Sequence, residues 1–175
     1  MNQAVSLSHI PVLSHVRRNH ALEHATIQVL SERHRDLRVA GRSSLWGFYL
    51  YGQVGSEEVL AAAQEGLRRL RQGQSQMALH RNCGSNFVVA GTLAGLGAFL
   101  VIEGIAGRPK SWIERMARLP LACAAATLGI ILAQPLGPIF QARVTTQADV
   151  GDLRIVSVTQ ENKAGLTIHH VRTEG

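Results

Sequence analysis

The segment His20-Ala21-Leu22-Glu23-His24 decides how the rest of the chain is read. Residues four apart on a helix lie one above the other, so His20 and His24 can offer two imidazole nitrogens to one cation. Glu23 shares that face, three residues after His20 and beside His24. Its carboxylate can therefore act on a water rather than compete for the metal. The pattern predicts a helix from about Ser14 to His34, with Val16, His20, Glu23, His24, Ile27 and Leu30 on one side and Leu22, Ala25 and Val29 on the other. A helix apolar on two sides is mostly buried, so its histidines face protein. The competing reading is a buried helix whose histidines only satisfy backbone carbonyls.

Working outward, Asp36 to Gly41 and Leu45 to Tyr51 read as strands, the second because Trp46, Phe48 and Leu50 alternate with Leu45, Tyr49 and Tyr51. Ser56 is expected to cap the next helix, with Glu57 and Glu58 in its first turn and Arg68, Arg69 and Arg71 in its last, as the helix dipole favours. Gly73 stops it. Met77 to His80 reads as a short third strand leading into Asn82-Cys83-Gly84-Ser85-Asn86, and Leu153 to Thr159 and Leu166 to Val171 read as a closing hairpin. Residues 1–14, broken by Pro11, are expected as an extended arm or edge strand. The fold class is α+β: a small two-layer domain of helix-strand-strand-helix-strand with a C-terminal β-hairpin, carrying a two-helix transmembrane hairpin. Domain bounds follow as 1–86 for a soluble zinc-binding part, 87–141 for the membrane hairpin and 142–175 for the C-terminal hairpin packing on the soluble part.

Charged residues make up only 17% of the chain and are absent from Asn82 to Ile102 and from Leu119 to Ala142. Each stretch can cross ~30 Å of hydrocarbon as a helix, with spans at about 87–105 and 119–141. Gly91 and Gly95 form a G-x-x-x-G pair, and Ala122, Ala126, Gly129 and Ala133 answer on the second span. Small residues at this spacing allow close helix contact, within the hairpin or across a homodimer or membrane complex on the Gly91/Gly95 face. Pro135 and Pro138 should kink or end the second span. Glu103 lies within snorkelling reach of Arg108 and Lys110 and reads as structural. The net charge of +6 is concentrated near the spans, which points to lipid headgroups and topology rather than nucleic acid. Met1 to Leu13 lacks the pattern of a signal peptide. Cys83 and Cys123 suggest no disulfide framework. The expected location is the cytoplasmic membrane, multi-pass, with the soluble part facing the cytoplasm, where a thiolate ligand stays reduced.

A zinc site needs a third protein ligand. Glu103 is too distant, since a helix rising 1.5 Å per residue from Phe87 carries it roughly 24 Å away. His80 and Cys83 both adjoin the soluble part. Cys83 is preferred because backbone N–H groups of its Asn-Cys-Gly turn can hold a thiolate, and His80 stands as an alternative ligand or as a group holding a ligand or substrate. His169-His170 is a weaker second metal pair. The H-x-x-E-H order itself is the inverted zinc-peptidase motif.

Further pieces extend the likeness. His20-Ala-Leu-Glu23-His24, Gly47-Phe48-Tyr49-Leu50, Ser56-Glu57-Glu58-Val59 and Cys83-Gly84-Ser85 occur in the same order as in S-ribosylhomocysteine lyase, which the segment from about 15 to 86 resembles. The lyase shares its fold with pitrilysin-type and mitochondrial-processing peptidases. The resemblance implies two zinc histidines on the helix and a cysteine ligand in the Cys-Gly turn. It departs where the lyase has its catalytic cysteine, since the matching position here is near Ser44, with Ser43 beside it. A serine hydroxyl is far less acidic than a thiol and does not readily replace it in an enolisation. The lyase also lacks a membrane hairpin. A His-Ala-Leu-Glu-His-Ala segment is also similar to one in small bacterial membrane proteins.

The sequence thus leads to a membrane-anchored zinc hydrolase, with His20, His24 and Cys83 binding Zn²⁺ and Glu23 as general base. Cys83 stands just before the first span, so the expected substrate is a membrane-adjacent peptide or amphiphile. The alternative is a non-catalytic membrane scaffold with a structural metal site. A weaker alternative is lyase chemistry on a thioether sugar, with Ser44 in the catalytic position.

Overall fold

The computed structural model describes residues 11–34, 36–104, 107–163 and 165–175. They divide into two units, Met1–His80 with Ala142–Gly175, and Arg81–Gln141.

The first unit is built on helix α1, Pro11–Arg33. It begins three residues earlier than the spacing predicts, because proline suits a first helical turn, where its missing N–H has no intrahelical partner. The arm expected over residues 1–14 lies largely outside the described residues. Along α1, Ala21, Leu22, Ala25 and Leu30 are fully buried, as are the polar Asn19 and Thr26. Strands β1, Ala40–Ser44, and β2, Gly47–Tyr51, follow. Helix α2, Ser56–Arg71, carries the expected inward stripe, with Val59, Ala63, Leu67 and Leu70 buried. Two of its C-terminal arginines do more than complement the dipole. Arg68 and Arg69 hydrogen-bond Glu65 and hold its carboxyl down at about 2, and Arg69 reaches Glu32 of α1 at 2.8 Å.

Strands β3, Arg154–Lys163, and β4, Leu166–Glu174, complete one antiparallel sheet of order β1-β2-β4-β3. The hairpin is longer than the sequence suggests, since polar Gln160 to Lys163 continue the ladder opposite Leu166 to His169. Phe48, Leu50 and Val171 enter the core shared with Leu22, Val59 and Ala62, so this sheet face meets the helices. Gly47 has φ +128° and abuts the Val171 carbonyl, where any Cβ would overlap; only glycine fits that turn.

Met77 to His80 is not a third strand. Ser75–Ala78 is a 3₁₀ turn with Met77 and Ala78 buried. The carbonyls of Met77, Ala78 and Leu79 accept hydrogen bonds from Gln28 and His24 of α1. Those carbonyls are therefore satisfied by helix side chains, and no ladder is needed to pair them.

The second unit holds α3, Gly84–Phe99, a π turn at Leu100–Gly104, the short helix α4, Trp112–Ala117, and α5, Leu119–Phe140. Two helical runs, Gly84–Gly104 and Leu119–Thr145, are long and apolar enough to cross a membrane, and only 6% and 17% of their most apolar windows is buried in the protein. Their apolar side chains thus face outward, unlike those of a soluble core helix. Helix α5 runs through Pro135 and Pro138 to Phe140. Glu103 pairs with Arg115 at 3.1 Å rather than with Arg108 or Lys110.

The close approach of α3 and α5 uses different glycines from the G-x-x-x-G pair. A Cβ on Gly129 would lie 2.6 Å from the Leu93 carbonyl carbon and 2.7 Å from Ala94 N, whereas a Cβ on Gly91 or Gly95 would meet nothing within 4 Å among the described residues. Gly129→Val must push backbone from backbone, an overpacking cost of about 3 kcal/mol, while Gly91→Val should stay within about 0.5 kcal/mol of wild type. SDS unfolding of the two variants in mixed micelles checks this contrast.

Candidate metal centre

His24 is buried in the first unit, and its ring lies 4.3 Å from that of His20 and 5.6 Å from that of His80, centroid to centroid. His24 Nδ1–H donates to the Ala78 carbonyl at 2.7 Å, and His20 Nδ1–H to the Thr145 carbonyl at 2.9 Å. A carbonyl oxygen only accepts, so both rings carry their proton on Nδ1 and keep Nε2 as the basic nitrogen. Metal-ligating histidines commonly use this arrangement, which fixes ring orientation and raises ligand basicity.

Both carbonyls are held in turn. Gln28 Nε2 donates to Met77 O and Leu79 O, on either side of Ala78. Arg17 donates to Arg143 O and Thr146 O around the π turn Gln141–Thr145. One turn N-terminal to Glu23, Asn19 donates to Ser44 O and Leu45 O and accepts from Thr173 Oγ1 at 2.6 Å. That clamp fixes α1 against the β1–β2 turn and β4.

Glu23 is 4% exposed and accepts a hydrogen bond from Ser43 Oγ. Its Oε1 lies where a Cβ on Gly41 would be, so β1 passes close enough to seat the carboxylate only because residue 41 has no side chain. Ser44 points elsewhere and donates to Gly47 O across the turn. Of the two serines near the lyase position, Ser43 is the one against Glu23.

Cys83 belongs to the second unit, so the stacked pair His20 and His24 is the part of the expected donor set that the first unit holds by itself. Two imidazole nitrogens and one thiolate are a donor set suited to zinc. The buried Thr145 hydroxyl, on the residue whose carbonyl binds His20, has no hydrogen-bond partner among the described residues.

His169 and His170 do not share a site. As neighbours on β4 they point to opposite faces: His169 Nε2–H donates to Val54 O, and His170 stacks on Tyr49 at 4.3 Å. Burial pushes both below the ordinary imidazole value, aided for His170 by Arg172. The unfolded chain therefore takes up protons first, and stability present above about pH 6.5 falls as the solution is acidified below it. A pH series of thermal melts should show this loss, and His169→Gln should reduce it to the part that His170 contributes.

Sequence reasoning missed Asn19, Gln28, Arg17 and Gly41. The buried Asn19 and the half-buried Gln28 and Arg17 carry no periodic signature that separates them from surface residues, and Gly41 looks like an ordinary turn glycine.

The comparisons add kinship. The family described as "Domain of unknown function (DUF6391)" matches residues 15–158. An uncharacterised protein of Picosynechococcus sp. is 32% identical, over 90% of this chain and 78% of the relative. Neither description names the lyase or the peptidases that the motif order resembles. No solved structure matches the chain.

Proposed function

The chain belongs to the family described as domain of unknown function DUF6391, and from the site geometry we propose that it is a membrane-anchored zinc-dependent hydrolase. The observation that carries the reading is the pair of Nδ1–H bonds from His20 and His24 to backbone carbonyls, with Glu23 on the same helix. Adjacent imidazoles whose Nδ1 protons are both committed to backbone carbonyls support a pair of Nε2 ligands.

His20, His24 and Cys83 would hold the metal, and His80, its ring beside His24, is the alternative ligand or supports one. Bound zinc supplies Lewis acidity that makes water nucleophilic near neutral pH. Glu23 then takes the proton from the attacking water and returns it to the leaving group. Ser43 donates to one carboxylate oxygen and so directs the other, which Gly41 gives room to move. Ser44, engaged with Gly47, takes no part.

Cys83 immediately precedes α3, the first apolar run, which supports placing the chemistry at a bilayer surface and a membrane-adjacent peptide or amphiphile as substrate. The two runs support a multi-pass anchor in the cytoplasmic membrane, and the thiol ligand supports a cytoplasmic face for the first unit. The open Gly91/Gly95 face supports a homodimer or complex formed in the bilayer.

The burial of Glu23 and His24 favours a second reading, a structural metal site in a non-catalytic scaffold. Cobalt substitution separates the two. A visible spectrum that titrates with an apparent pKa of about 7 marks an open coordination position, whereas a pH-independent spectrum from pH 6 to 9 marks a closed structural site and overturns the hydrolase.

A further inference from the structure

Helix α4 and the residues leading into it, 107–118, form a small amphipathic element between the two apolar runs. Trp112, Ile113 and Met116 are 72%, 64% and 48% exposed. At 100° per residue they fall within one arc of the helix, with Glu114 and Arg115 on the other side. The element is braced against its own unit. Ser111 Oγ accepts from Glu114 N, Glu114 accepts from Lys110 N at 2.7 Å, and Arg118 donates to the carbonyls of Ile102 and Gly107.

The bracing consumes the acids. Glu103 is paired with Arg115 and Glu114 with Arg118. Arg108 and Lys110 are exposed, and their side-chain cations form no ion pair among the described residues.

We propose that this element is an interfacial anchor that binds anionic lipid headgroups, seating Trp112, Ile113 and Met116 at the headgroup–acyl boundary while Arg108 and Lys110 contact lipid phosphates. The proposal rests on the membrane-spanning reading of α3 and α5. A short connection between two spanning helices must sit at a bilayer boundary, which is continuity with the lipid surface that the spans occupy. Charge complementarity names the lipid: surplus cations beside an exposed tryptophan fit anionic headgroups, and each basic residue near such a surface strengthens the association about fivefold.

The test uses full-length protein in nanodiscs of brominated phosphatidylcholine or phosphatidylglycerol, with Trp46→Phe leaving Trp112 as the sole tryptophan. Trp112 fluorescence should be quenched by bromine near the headgroups and poorly by aqueous iodide. Quenching should be more effective with phosphatidylglycerol in mixed discs by up to about 25-fold, about fivefold for each of the two cations, a preference that Arg108→Gln/Lys110→Gln removes. A second probe, Leu128→Trp in a Trp46→Phe/Trp112→Phe background, reports the middle of α5. If it escapes bromine placed deep in the acyl chains, the spanning reading falls and takes the anchor with it. If it is quenched but Trp112 is open to iodide, or is shielded from iodide and bromolipid alike as a protein contact would make it, the anchor alone is overturned. Equal quenching by both headgroups overturns its anionic specificity.

Discussion

Detergent-purified protein is expected to carry about one zinc per chain, and His24→Ala to carry none, when metal content is read by elemental mass spectrometry. His24 is the ligand on which most depends. It is 1% exposed, and its Nδ1–H bond to Ala78 O makes Nε2 the nitrogen offered to a metal. Cys83→Ser should also lose the ion, because a serine hydroxyl stays protonated where a thiol is readily ionised. Circular dichroism keeps the result interpretable, since removing a buried ring also leaves a cavity. Gln28→Ala offers a gentler version. It touches no ligand but frees the turn whose Ala78 carbonyl orients His24, and should weaken zinc by up to about 10-fold, the low end of the effect of losing a direct partner of a metal-bound histidine. Wild-type protein that stays metal-free when offered zinc would reduce the site to a histidine-bearing core helix.

Glu23→Gln is expected to keep zinc and fold while lowering hydrolysis by about 10²–10⁴-fold, the range for a lost general base. Gln keeps the shape and can still accept from Ser43, so packing against Gly41 is preserved while the basic oxygen is gone. Turnover can be followed by mass spectrometry on a pool of amphiphilic peptides in proteoliposomes. Gly41→Ala complements this variant, because the new methyl occupies the position of Glu23 Oε1 and must displace the carboxylate without changing its chemistry. Both variants should therefore lose activity and retain metal. Unchanged turnover in Glu23→Gln would leave the structural reading standing alone.

Much of this centre is legible from spacing. His20, Glu23 and His24 share a helical face because a helix repeats every 3.6 residues, and no tertiary information is needed to see it. The two apolar runs are equally local, since the length of an uncharged stretch sets whether it can span hydrocarbon. The glycines of those runs were harder to assign. Gly91 and Gly95 have the familiar spacing, yet Gly97 and Gly129 make the close approach, because the rotation of each helix about its axis depends on the whole interface.

The serines show the same limit on a strand. Alternate residues point to opposite faces, so Ser43 and Ser44 differ completely in surroundings, and pairing register decides which one meets Glu23. With Ser43 opposite Phe48, whose side chain enters the core, Ser43 faces α1. The 3₁₀ turn at Ser75–Ala78 was hidden for another reason: the carbonyls of Met77 and Ala78 are claimed by Gln28 and His24, about 50 residues earlier, and the short apolar run Met77-Ala78-Leu79 reads as a strand until those partners are known.

By itself the sequence determined what a local period can encode: a mostly buried α1 with two imidazoles and a carboxylate on one face, the alternating strand β2 and two apolar runs. The tertiary structure decided which imidazole nitrogen is basic, which serine holds the carboxylate and which glycines join the helices. Those choices depend on carbonyls and strands far away in the chain, Thr145 and Ala78 above all, and no local pattern contains them.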